Sequence, residues 1–113
     1  MKIVRALEAP EVETPHKVSS VRSLHSTEHV QMSLITLEPG EALRPHITPV
    51  DATFYVLEGV ATVEIGDERE EAEAHCLIHS PAKIVHRVLN QGDERVRFLV
   101  IKTPRQTDAS QIL

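Results

Sequence analysis

From Ser20 onward the apolar residues fall in short runs: VRSLH (21–25), VQMSLITL (30–37), TFYVL (53–57), VATVEI (60–65), CLIHS (76–80), IVHRVL (84–89) and VRFLVIK (96–102). Within VATVEI, Ala61, Val63 and Ile65 alternate with Val60, Thr62 and Glu64, the period-two pattern of a strand with one face buried. TFYVL and FLVI are apolar at both parities, which predicts outer faces covered by the N-terminal segment or by a second subunit. The breaks between runs carry turn chemistry. Glu38-Pro39-Gly40-Glu41 places Pro and Gly where a type II turn needs them, Glu58-Gly59 and Ile65-Gly66-Asp67-Glu68 are tight reversals, and Asn90-Gln91-Gly92-Asp93 fits a hairpin loop. No long stretch carries a helical period, so the pattern predicts an antiparallel sandwich or barrel.

The first 20 residues differ: Pro10, Pro15 and a Glu-rich stretch predict an extended arm lying over the barrel or a partner subunit. With 113 residues, the expectation is one domain spanning 1–113, with the arm at 1–20 and the barrel at about 30–102. The three aromatic residues, Phe54, Tyr55 and Phe98, leave the core to Val, Ile, Leu and Ala and provide no stacking platform for single-stranded nucleic acid. A net charge of −5, with no extended Lys/Arg cluster, also argues against nucleic acid and anionic membrane surfaces as partners. No apolar window reaches the length of a membrane span or a signal peptide, and the lone Cys76 has no internal disulfide partner, so a cytoplasmic location is expected. Cys76 itself reads as a small buried hydrophobe.

Histidine is the abundant reactive residue, at positions 16, 25, 29, 46, 75, 79 and 86. His46 and His86 belong to two segments with a recognisable layout: Gly40, His46, Thr48, Ala52 and Gly59 in the first, and His75, Pro81, Lys83, His86 and Asn90 in the second. That layout resembles the cupin superfamily, whose motifs read G-x5-H-x-H-x3,4-E-x6-G and G-x5-P-x-G-x2-H-x3-N; Gly40, His46, Gly59, Pro81, His86 and Asn90 match at the required offsets. The resemblance implies an all-β, antiparallel double-sheet jelly-roll barrel with both motifs facing its interior. It also implies a homodimer and, in the usual case, one divalent transition metal such as Zn, Fe, Mn or Ni.

Four positions depart from the motifs. Thr48 replaces the second His, Ala52 the Glu, and His75 and Lys83 the two glycines of the second motif. Only His46 and His86 remain as expected metal ligands, and two neutral imidazoles make a weak site. Asp51 supplies a third ligand if a bulge at Pro49 shifts the register, and His79 is the other candidate. Arg44, two residues before His46, is expected at the pocket mouth as a cation for a carboxylate or phosphate, and Thr48 as a hydrogen-bond donor to a ligand oxygen. Phe54 is assigned to the ligand pocket or the core. His16, His25, His29 and His75 are expected at the surface. Two functions fit this set: a binding module for a small anionic molecule, with the metal site eroded, or a metal-dependent enzyme of the dioxygenase or isomerase type using His46 and His86. The family fold by itself fixes neither.

Overall fold

The computed structural model describes Met1 through Leu113. After a 3-10 turn at Ala6–Glu8, ten strands follow: β1 Ser20–Ser26, β2 Gln31–Leu37, β3 His46–Ile47, β4 Asp51–Glu58, β5 Val60–Ile65, β6 Glu68–Glu73, β7 Leu77–Ser80, β8 His86–Leu89, β9 Val96–Thr103 and β10 Gln111–Ile112. They form two five-stranded antiparallel sheets, ordered β1-β2-β9-β4-β7 and β10-β3-β8-β5-β6. This is the expected double-sheet jelly roll, with one correction: the sheets do not close into a barrel. β1 and β7 end one sheet, β10 and β6 end the other, and no ladder joins them.

Alternation fixes which face each strand buries. On β9, Val96, Phe98 and Val100 point inward; on β4, Ala52, Phe54 and Val56 do; on β2, Ile35 and Leu37; on β5, Ala61 and Val63. Phe54 and Phe98 meet edge to face with centroids 6.0 Å apart, filling the centre of the sandwich. The opposite parity of the first sheet is also apolar: Leu77, Tyr55, Leu99 and Leu34 form a row across its outer surface. Leu34 is nevertheless buried at this edge. Arg22 stands beside Leu34 in the β1 ladder and donates to the Ala9 carbonyl at 2.7 Å, while a bridge between Glu11 and Arg22 ties the arm to β1.

Strand β6 was not foreseen, because its sequence EREEAE has no apolar alternation; as an edge strand it buries only Ala72. β3 and β10, at two residues each, are too short to leave a periodic signal. The motif turns keep their backbone shape despite lost glycines: His75 and Lys83 adopt φ of 74° and 68°, the left-handed region that glycine enters at least cost. Gly59, at φ 79°, could not be replaced so simply, since a Cβ there would collide with the Arg95 carbonyl oxygen. No helix is long and apolar enough to cross a membrane.

Candidate functional site

β3 and β8 are paired at one rung, His46 opposite His86, and both imidazoles are buried. Their Nε2 atoms lie 3.1 Å apart. The remaining ring nitrogens are also engaged: His46 Nδ1 is 2.7 Å from the Arg44 carbonyl oxygen and His86 Nδ1 is 2.6 Å from Ser80 Oγ. These contacts define one consistent neutral assignment. The Arg44 carbonyl can only accept, so His46 Nδ1 carries the hydrogen and its Nε2 holds a lone pair. His86 Nε2–H then donates to that lone pair, leaving His86 Nδ1 to accept from the buried Ser80 hydroxyl. The result is a directed chain from Ser80 through His86 and His46 to Arg44, with each nitrogen used once.

Electrostatics favours that neutral chain. Burial, reinforced by the neighbouring His46, Lys102 and His16, lowers the His86 pKa from 6.5 to about 4. Burial also lowers His46; the Arg44 carbonyl opposes the shift and Lys102 adds to it. A proton added to His46 would set N–H against N–H across the 3.1 Å contact, and one added to His86 Nδ1 would meet the hydroxyl that Ser80 donates to it.

The pair lines a cavity of about 330 Å³ between the sheets, within the range of small-molecule sites. Its apolar wall includes Ile35, Leu43, Ala52, Phe54 and Val100. Phe54 packs on His86 edge to face, centroids 5.4 Å apart. Both chain ends cover the mouth: Glu13 to His16 from the arm, and Gln106, Ala109, Ser110 and Ile112 from the C-terminal segment, held by β10 pairing with β3.

Three residues of the site, two in the lining and one behind His86, were missed or misplaced by sequence reasoning. His16, expected at the surface, is half-buried with its ring centroid 4.7 Å from that of His46, and its Nδ1 accepts the Arg44 backbone N–H at 2.9 Å. Burial, with His46, Arg44 and Lys102, lowers its pKa from 6.5 to about 4. A proline-flanked arm has no period from which this inward turn could be read. Lys102 also lines the cavity, and here a signal existed: it continues the inward parity of Val96, Phe98 and Val100. Ser80, the residue after His79 in a strand whose facing the sequence did not reveal, is fully buried and orients His86.

Other expected site residues lie elsewhere. Arg44 is exposed and meets the site through its backbone, because its carbonyl, not its guanidinium, faces His46. Thr48 is buried, but its hydroxyl donates to the Val50 carbonyl at 3.1 Å and it does not line the cavity. Asp51 is exposed and accepts the Ala82 N–H at 2.8 Å; β4 runs in regular register from Asp51 to Val56, so no bulge turns this carboxylate inward. His79 is exposed and lines a separate groove with Val63, Ile65 and Ile84. Asn90, matched to the second motif, is structural: its amide donates to the carbonyls of Leu37 and Glu94 and its oxygen accepts the Gly92 N–H. His25 and His29 are exposed, as expected, and so is His75.

The donor set therefore does not fit the metal that the family motif implies. No group of three or more His, Cys, Asp or Glu side chains is arranged to hold an ion. The carboxylate position is Ala52, and the neutral hydrogen-bond chain occupies both Nε2 atoms with each other.

Comparison with known proteins agrees on the architecture. The cupin domain family model matches residues 33–102. Among solved structures, the polyketide cyclase RemF from Streptomyces resistomycificus superposes with a TM-score of 0.85 at 21% identity, covering 100% of this chain and 85% of that one. An RmlC-like cupin family protein with a double-stranded β-helix fold from Methanocaldococcus jannaschii gives 0.75 at 23% identity, covering 92% and 91%. Oxalate decarboxylase from Bacillus subtilis gives 0.79 at 24% identity; the match covers 96% of this chain but 31% of that one. At these identities the likeness is one of fold. No curated protein matches the sequence.

Proposed function

The chain belongs to the cupin family, and from that premise we propose that it is a binding protein that holds a small anionic organic molecule in the cavity around His46 and His86, without a metal ion. The observation that carries this reading is the hydrogen-bond chain from Ser80 to Arg44: it satisfies both imidazoles in their neutral forms without calling for a cation between them. Phe54 and its apolar neighbours provide the wall against which an organic body packs, and the chain termini form the cover. Catalysis through a metal would need a third donor, and both sequence candidates, Asp51 and His79, point away.

The homodimer implied by the family would use the outer row of Leu77, Tyr55 and Leu99, where Leu77 remains 63% exposed. A single free thiol, Cys76, suits a reducing cytoplasmic compartment.

The 3.1 Å separation of the two Nε2 atoms is also one that two ligands of a single ion could span. Elemental analysis of the purified protein and of the His46→Ala/His86→Ala variant is therefore the test. The expected result is no stoichiometric metal in either, even after exposure to zinc, iron(II), manganese and nickel. About one equivalent of metal in the parent, lost in the variant, would overturn the reading in favour of a metalloenzyme.

A further inference from the structure

Lys102 is the half-buried lining residue whose charge the protein leaves unanswered. It stands at the end of the inward row of β9, half-buried, and its Nζ donates to Gln106 Oε1 at 2.6 Å. No ion pair reaches it: every salt bridge in the molecule joins other residues. The sole carboxylate of the lining, Glu13, is exposed. A half-buried ammonium with one neutral partner retains two unused donors and an uncompensated charge, which is costly unless an anion shares the space.

A second donor lies in the same cavity. His16 Nδ1 accepts the Arg44 N–H, so the neutral ring carries its hydrogen on Nε2, and no protein acceptor takes it. Across the cavity the wall is apolar, built by Val21, Ile35, Leu43, Phe54 and Val100. The polar lining is thus weighted toward donors, and the rest suits a hydrocarbon body.

We infer that Lys102, assisted by His16, is the anchoring cation for the carboxylate of a small amphiphilic acid, an aryl or alkyl carboxylate whose apolar body lies against Phe54 and Val100. This rests on the binding-pocket reading and deepens it: the anchor comes from the last long strand and the N-terminal arm, outside both His-bearing motifs, and Arg44 is not part of it. Ligand entry adds a charge-assisted contact to one of the unused donors of Lys102 beside its bond to Gln106, holding the C-terminal cover and the ligand on the same ammonium.

The test uses benzoate and its neutral counterpart benzyl alcohol as probes, titrated into the full chain and into Lys102→Met, which removes the charge but keeps an apolar stem. Binding is read from backbone amide and histidine ring shifts, which also verify that the variant is folded. The expected result is that benzoate binds the parent more tightly than benzyl alcohol does, that Lys102→Met weakens benzoate at least about tenfold, and that benzyl alcohol binds both chains alike. Equal benzoate affinity in the two chains would overturn the anchoring role and leave the pocket reading standing, as would loss of both probes from a folded variant. No shift of cavity residues with either probe would overturn the pocket reading itself, and the anchor with it.

Discussion

The two ends of the sandwich are built from the same strands with the same inward parity, yet they bury opposite chemistry. Along β9 the inward row runs Val96, Phe98, Val100 and then Lys102; along β2 it runs from Leu37 through Ile35 to Ser33; along β8 from Val88 to His86. At one end these inward rows are apolar and enclosed, with Leu37, Val96 and Phe98 at 0% exposure. At the other, four basic side chains, His16, His46, His86 and Lys102, share a cavity with no carboxylate among the buried ones. The first end supplies hydrophobic stability; the second gives some of it up and gains a place for a ligand.

If that division holds, the largest losses come from the dry end. Phe98→Ala is expected to cost about 3–5 kcal/mol in urea unfolding, with little dependence on pH, because the side chain is fully enclosed and makes no ionisable contact. The pocket end is expected to show the reverse character, a moderate contribution that depends on pH. His16 and His86 are depressed from 6.5 to about 4 and His46 is lowered as well, so the unfolded chain binds protons before the folded one does. Stability is therefore fully present above pH 6.5 and falls as the pH drops toward 4. His86 alone accounts for a loss on the order of 2–3 kcal/mol. Unfolding midpoints followed across that interval check it; a flat profile would mean that the rings are already charged or solvated at neutral pH.

A smaller effect sharpens the comparison at the motif turns, which position the rungs but touch no ligand. His75→Gly and Lys83→Gly relieve left-handed backbone at φ 74° and 68°. Each is expected to raise stability by about 0.5–1 kcal/mol in the same unfolding assay. The opposite substitution, Gly59→Ala, meets the Arg95 carbonyl and is expected to destabilise instead.

The division also explains which parts of the molecule were legible in the sequence. VATVEI coincides with β5 and TFYVL lies within β4, because apolar side chains repeat on a fixed parity where a dry face must be covered. EREEAE escaped notice because an edge strand needs only Ala72 inside. In the site, His46 and His86 stood out through their spacing in the motifs, and the structure pairs them on one rung. His16 did not, since its approach depends on how a proline-bearing arm crosses the sandwich, a tertiary fact without a local pattern. Lys102 was readable but unread: a lysine on the inward parity of VRFLVIK is an anomaly that calls for a partner. Arg44 fails the parity it would share with His46 because β3 begins only at His46, so its backbone and not its side chain serves the site; Asp51 stays outside because the bulge that would turn it inward is absent, and its carboxylate holds the Ala82 N–H.

The most direct test of the central claim, that the polar end serves binding and not folding, replaces its buried hydrogen-bond chain by apolar groups of similar size. The variant His46→Leu/Ser80→Ala/His86→Leu leaves no buried hydroxyl or imidazole without its partner, since the remaining acceptor, the Arg44 carbonyl, belongs to an exposed residue. Urea unfolding and benzoate titration of this one protein give the answer. The account predicts a midpoint at least equal to that of the parent, with benzoate binding weakened or lost. A midpoint lowered as far as that of Phe98→Ala, with benzoate binding intact, would contradict it and make the histidines part of the scaffold.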